Sequence, residues 1–322
     1  MEYKDLHDAD TAVDFYDKRY QDGYMEEWDD IKKSKVKEVI AMLNLPDKGK
    51  ALDFGCGNGV FTNIIKSVLP NWDVYGVEIS PTAVKNAKVK FPNCIFFGIE
   101  EAQNHLNSFD FLFSHHVIEH VQDLSETFAV INSYLKPRSS QLHILPCGNE
   151  GSYEHKICLL HKNGIEKEKE NRFFFEEPGH LRRLTSTDFS SYEKNIGFSL
   201  EQQFYSNQYH GAVNWITKSS PRFVKKLTDP STAANESSKI ELNRLRGKLL
   251  PLTYFQFPYS KYWAVKSKWY KSSADYFKLA VYFFPAMISK IFYDKYDRLS
   301  ANEWKEHKRE LAGSEMFLFY KR

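Results

Sequence analysis

Apolar positions along this chain fall into short unbroken runs separated by stretches with helical spacing. The runs are "ALDF" (51–54), "DVYGVEIS" (73–80), "NCIFFG" (93–98), "FDFLFSHHVIEHV" (109–121), "LHILP" (142–146), "FSLEQQFY" (198–205) and "EMFLFYKR" (315–322). Runs of this length, bounded by turn residues, read as strands. Residues 12–43, "FTNIIKSVL" and "SPTAVKNAKVKF" read as helices between them, the last with Ser80 as N-cap and Pro81 at the first helical position. "STDFSSYEKNIGF" reads as a later helix, with Ser186 as its cap and Gly197 at its end. The rest of residues 147–183 is polar, and its charge run "IEKEKENR" reads as a solvated loop. Strand and helix in alternation predict an α/β fold with a doubly wound, parallel sheet. About 110 basic, aromatic residues of helical character separate the last two strands. The predicted organisation is therefore a helical cap (1–46), a core (47–206), a helical insertion (207–314) and a final core strand (315–322).

Composition narrows the setting. The four cysteines form no CxxC pair, which excludes a zinc ribbon and a dithiol motif. The acidic N-terminus lacks an apolar signal segment, and the longest uncharged apolar run, "LAVYFFPAMIS" (279–289), is too short to cross a bilayer. A cytoplasmic location is the expectation. The net charge of +2 conceals a split. Residues 211–322 carry 21 Lys/Arg against 10 Asp/Glu, while residues 1–210 carry 23 against 32. Such asymmetry points to regions with different partners.

The first strand breaks into "GCGNG", with Gly55, Gly57 and Gly59 at alternate positions behind Asp53. Glycine at a strand-to-helix turn lets the backbone approach a ligand, and the following helix offers its N–H groups to it. A dinucleotide fingerprint needs a glycine where Val60 stands, and the Gly-Lys-Ser/Thr of a phosphate loop is absent. Glu78 ends the next strand, 25 residues after Asp53, where a carboxylate can accept both hydroxyls of a ribose.

The D-x-G-x-G-x-G turn, Glu78 and "FDFLFSHHVIEHVQD" together resemble the three corresponding motifs of the class I S-adenosylmethionine (SAM) methyltransferases, in order and spacing. The likeness covers about residues 10–205 and the final strand. It implies a Rossmann-like seven-stranded sheet with an antiparallel last strand and a helical insertion between strands six and seven. Carried over, it places Asp53, Gly55, Cys56 and Gly57 along the methionine and ribose, with Glu78 and Ile79 at the ribose and adenine. Ser114 and His115 would lie under the sulfonium. Ile99 stands where many members carry an acid toward the adenine amine. "YDKRY" resembles an element that closes over the cofactor, which nominates Tyr16 and Tyr20.

Methyl transfer from a sulfonium is an in-line displacement, so a base is needed only where the acceptor must lose a proton. His115, His116, His120, His143, His155, His161 and His180 are the histidines in reach of that role, and His116, His120 and His180 are the catalytic candidates. His116-x-x-Glu119-His120, followed by the His180 of "PGHLRRLT", also resembles the divalent-metal set of ubiquinone-biosynthesis and plant small-RNA O-methyltransferases. His116 replaces a Glu there. The implied metal ligands are His116, Glu119, His120 and His180, and such a metal would lower the pKa of an acceptor hydroxyl. The favoured reading is O-methylation of a small polar acceptor: a sugar, a nucleotide-linked sugar or a lipid-linked glycan. RNA methylation is the alternative, and a non-catalytic SAM-binding regulator is a further one. The insertion, in which Lys alternates with Tyr, Trp and Phe, is expected to expose its lysines and bury its aromatics. It would select the acceptor or make peripheral contact with an anionic membrane.

Overall fold

The computed structural model describes residues 9–23, 28–177, 179–268 and 271–322. Tyr24, Pro178, Trp269 and Tyr270, which belong to the stretches read above, lie outside the described residues. In place of one helix over 12–43 there are two, α1 (Ala9–Gln21) and α2 (Asp30–Met42). The chain leaves the first through Gly23 in a left-handed conformation. Asp29 starts the second by accepting the Lys32 amide at 3.0 Å.

From β1 (Lys50–Phe54) the chain alternates as the pattern predicts. It runs through α3 (Val60–Val68), β2 (Asp73–Glu78), α4 (Pro81–Lys90), β3 (Ile95–Gly98), β4 (Phe109–His115), α5 (Leu124–Tyr134) and β5 (Leu135–Pro146). β4 stops at His115, and Ile118–His120 form a separate 3₁₀ turn. Strands β1, β2, β3, β4 and β5 pair in parallel. Their inner residues are almost wholly apolar because helices cover both faces of a parallel sheet. With α7 (Ser186–Asn195), β8 (Ser199–Ser206) and β9 (Glu315–Lys321) the sheet reaches seven strands, in the order β3-β2-β1-β4-β5-β9-β8. The last strand is antiparallel, and the Rossmann-like expectation holds. Ser186 is the first residue of α7 rather than the residue before it.

The chain forms two compact units. One comprises Met1–Leu145, Thr187–Gln203 and Phe317–Arg322; the other comprises Pro146–Ser186 and Phe204–Met316. Residues 146–186 thus group with the helical insertion, whereas the pattern had them in the core segment. They are also more ordered than a solvated loop. They hold α6 (Tyr153–Cys158) and a hairpin of β6 (Ile165–Glu166) and β7 (Arg172–Phe173), with Arg172 buried. The second unit closes over its own apolar core, in which Ile157, Phe173 and Phe175 pack with Val213, Ile216, Val224, Leu227 and Leu249. Those last five come from α8 (His210–Lys218), α9 (Pro221–Leu227) and α10 (Glu236–Lys266).

α10 pairs with α11 (Ser273–His307) through rings: Tyr259 meets Tyr293 at 4.6 Å and Phe255 stacks on Phe292 at 5.0 Å between centroids. The Tyr259 amide, next to Pro258, donates to Ser289 Oγ at 3.2 Å. The expectation of inward aromatics fails on the other side of α11, where Phe277 and Phe284 are exposed, with Tyr276 exposed beside them. This helix has two apolar faces, and α10 covers one of them.

Candidate functional site

The glycine turn sits at the carboxyl end of β1. Gly55 and Gly57 have φ of 73° and 51°, a region that side chains disfavour. A Cβ on Gly55 would lie 2.5 Å from Val117 Cγ2, and one on Gly57 would lie 2.7 Å from Tyr20 Oη. The turn is pinned to the neighbouring strand, since the Gly55 and Cys56 amides both donate to the Val77 carbonyl, at 2.9 and 3.0 Å. One residue further, Glu78 ends β2 with its carboxylate folded back on the turn. Its Oε2 accepts the Gly57 amide at 2.9 Å, and its Oε1 accepts the Ile79 and Ser80 amides at 2.9 and 3.1 Å. An ionised carboxylate has about four acceptor positions, so these amides leave room for a further donor.

Asp53 lies beneath this turn, buried, with Thr62 Oγ1 donating to it at 2.6 Å. Burial, helped by the charge of Glu78, pushes the Asp53 carboxyl up to about 7 against the opposing bond from Thr62. Burial also raises Glu78, though the amides of Gly57, Ser80 and Ile79 work against it. No cation among the described residues pairs with either acid. Cys56 is buried and points its thiol at the Gly57 carbonyl. Ile99 opens a 3₁₀ turn after β3 and is half exposed.

Helix α1 is fastened over this corner. Tyr16 Oη lies 2.9 Å from His120 Nδ1, and Tyr20 reaches Gly57. Between the tyrosines, Asp17 accepts from Ser80 Oγ at 2.6 Å, from the Thr82 amide at 2.8 Å and from Thr82 Oγ1 at 3.1 Å. The bond from Ser80 leads in holding Asp17 below the usual carboxylate range. Asp17 thus serves as an added cap on α4. It was not among the expected residues, although "YDKRY" contains it.

The end of β4 lies on the same edge, because Phe54 pairs with Ser114 in parallel register. Ser114 Oγ is 2.7 Å from His143 Nδ1. His143 is fully buried and its Nε2 lies 3.0 Å from Glu193 Oε1. That histidine therefore belongs to an internal network. The His115 ring packs on Phe61 at 4.1 Å and against the edge of Trp28 at 4.7 Å. His116 turns the chain with φ of 54° and donates its amide to Ile144 O at 2.8 Å. Its Nδ1 stands 2.9 Å from Glu119 Oε1. One turn thus gathers His116, Glu119 and His120 beside the glycine corner, and the first two already hold their donor atoms at a distance a shared cation could bridge.

His180 belongs to the second unit. Its Nδ1 lies 2.5 Å from Glu176 Oε2 and its Nε2 lies 3.5 Å from Glu177 Oε1. Arg183 bonds Glu176 on one side and Glu154 on the other, and it also donates to Cys147 O at 2.8 Å and Ser314 O at 2.9 Å. Its guanidinium lies 4.1 Å from the centroid of the Phe173 ring. Trp215 Nε1 satisfies Glu154 at 2.7 Å, and Arg172 Nε holds the His180 carbonyl at 2.6 Å. Burial alone would raise Glu176, yet Arg183 and His180 bring it down to about 2. The same unit fixes His161, between Thr232 Oγ1 at 2.7 Å and Leu227 O at 3.0 Å, and burial lowers its pKa. Burial also lowers that of His155. Glu154, Glu176 and Arg183 escaped the sequence reading. The paired arginines of "HLRRLT" were their one visible sign.

The sequence model of the methyltransferase domain matches residues 24–203, more than half of the chain. This chain belongs to that family. The chain is 24% identical over 163 residues to a protein of Invertebrate iridescent virus 6 named as a methyltransferase, 235L. That match spans 50% of this chain and 59% of the viral protein. Malonyl-acyl-carrier-protein O-methyltransferase 2 of Ilyobacter polytropus is 32% identical over 91 residues, 27% of this chain and 35% of that protein. Among solved structures, phosphoethanolamine N-methyltransferase 2 of Haemonchus contortus, complexed with SAM, is 17% identical. It superimposes with a TM-score of 0.43, covering 90% of this chain and 52% of the other. The chain thus spans less than two thirds of the length of both curated relatives named here.

Proposed function

We propose that the protein transfers a methyl group from SAM to a hydroxyl oxygen of a small polar acceptor: a sugar, a nucleotide-linked sugar or a lipid-linked glycan. The observation that carries the cofactor assignment is the pair of buried acids at the glycine turn. Asp53 and Glu78 lack a cationic partner among the described residues, and a ligand offering ribose hydroxyls and positive charge supplies one. When bound, SAM provides a methyl already activated by its sulfonium. Glu78 accepts ribose hydroxyls, Gly55 and Gly57 allow the backbone to approach, and α1 keeps water out through Tyr16 and Tyr20. Ser114 and His115 form the floor below the reacting carbon.

Oxygen is favoured because bases are present. His120 is oriented by Tyr16, and His180 by Glu176, which is itself held by Arg183. A neutral imidazole has one acceptor nitrogen, the atom that takes a proton from an acceptor hydroxyl. In the metal-assisted form of this reading, a divalent ion held by His116 and Glu119 would lower the hydroxyl pKa.

The test is transfer of labelled methyl from SAM to panels of simple sugars, nucleotide sugars, lipid-linked glycans and short RNAs, with product atoms located by mass spectrometry. Label on an oxygen of one of the first three supports the reading. Label on RNA alone, or on nitrogen, overturns it. Activity lost to a chelator and restored by a divalent ion assigns the metal-assisted form, and indifference assigns a histidine base.

A further inference from the structure

The outward face of α11 is the least expected surface on the second unit. Phe277, Val281, Phe284, Ile288 and Ile291 are 71, 53, 75, 68 and 69% exposed. Their spacing of four and three residues lines them along one side of the helix, a stripe about 21 Å long at 1.5 Å per residue. Tyr276 and Met287 widen it. The opposite side of α11, with Ala286, Ser289 and Tyr293, is buried. An apolar strip of this length facing water marks an interaction site.

Charge decides what fits it. Residues 254–291 contain six lysines (261, 266, 268, 271, 278 and 290) and one acid, Asp275. Asp275 caps α11, where its Oδ2 accepts the Ser272 amide at 3.0 Å and Ser272 Oγ at 2.9 Å, and its Oδ1 lies 3.4 Å from Lys268 Nζ and 3.9 Å from Lys278 Nζ, so one acid is shared by two of the six lysines. The acids that follow along the helix are also engaged, Asp294 with Lys290 and Asp297 with Lys218. A two-fold pairing of α11 with its own copy would set lysines against lysines. Lysines 261, 266 and 290 lie near the rings of Phe257, Tyr262 and Tyr259, which mixes cation and aromatic along the surface.

We propose that this face docks on an anionic lipid surface, with the stripe sunk into the headgroup boundary and the lysines on lipid phosphates. Rings and lysines around an apolar stripe suit that boundary. No helix among the described residues is long and apolar enough to cross a membrane, so the contact is interfacial. It stands whether or not the methyl acceptor is lipid-linked.

The experiment is sedimentation of the full chain, without cofactor or acceptor, with phosphatidylcholine vesicles that either contain about 30% phosphatidylglycerol or lack it. The expected result is binding at least about tenfold stronger to the anionic vesicles, falling as salt rises. F284S/I288S and K261E/K266E should each reduce it about tenfold while circular dichroism and melting temperature stay unchanged, because all four side chains are exposed on the helical pair. Equal binding of wild type and F284S/I288S overturns the proposal. So does absence of binding to anionic vesicles, or a wild-type dimer in light scattering that F284S/I288S converts to a monomer, which would assign the stripe to a second copy of this chain.

Discussion

Asp53 and Glu78 in the first unit, and Glu154 and Glu176 in the second, are four acids taken out of water by one chain, and they meet different fates. The second pair is neutralised from within. Arg183 lies between the two carboxylates, and Glu176 stays charged at any ordinary pH. The first pair has amides and a threonine hydroxyl for partners and no cation among the described residues, so Asp53 drifts toward the protonated form. Burial is costly for both. The cost is met internally in the second cluster and left open in the first, where on the proposed reading a charged ligand supplies the partner. Equal burial therefore does not imply equal purpose.

The contrast breaks most visibly at Arg183. Replacing it by Met strands two buried carboxylates, and the loss should reach about 3–5 kcal/mol in urea unfolding. The triple variant R183M/E154Q/E176Q should recover much of it, because no uncompensated charge remains. Next in size is catalysis. His120→Ala and His180→Ala should each lower kcat by about 10²-fold, the scale of general acid–base help, with SAM affinity unchanged in calorimetry. Wild-type turnover in both variants would leave alignment alone as the source of rate.

Glu78→Ala should weaken SAM by about 10–100-fold, the equivalent of one or two lost hydrogen bonds to a charged acceptor. The melting-temperature rise caused by ligand should shrink with it. Arg183→Met must not mimic this, if the second cluster is framework only.

The most gradual effect is a pH drift of the unliganded protein. In the fold Asp53 holds its proton up to about 7, whereas the unfolded chain releases it near the ordinary carboxylate value. Between those limits the folded form binds more protons, so its stability falls as pH rises through the window. Midway through the window the slope approaches the roughly 1.4 kcal/mol per pH unit that one group can give. Asp53→Asn keeps an oxygen for Thr62 and should flatten melting temperature across that range.

The same contrast explains what was legible beforehand. Asp53, the glycines and Glu78 are fixed by position along consecutive strands, so their spacing in the sequence is their spacing in the site. The seven strands were readable for a similar reason, as each is a local apolar run. Arg183 and Glu154 meet across 29 residues of chain, and no periodicity announces such a bond. "IEKEKENR" was read as solvated because charge runs usually are, yet its Arg172 is buried and braces the His180 carbonyl. Asp17 was visible as a letter within "YDKRY" but not as the acceptor of three bonds from Ser80 and Thr82. The break between α1 and α2 rests on Gly23 and Asp29, which a helical pattern of tyrosines outweighed. On α11 the rings matched a core as well as they match a surface, and only the packing of α10 against one face tells the two apart.

Codons 55 and 57 have no mild neighbours. Any missense change in a glycine codon adds a Cβ, and here that atom meets Val117 or the Tyr20 hydroxyl at a distance no relaxed structure tolerates. A side chain at either position therefore requires Val117 or Tyr20 to move aside.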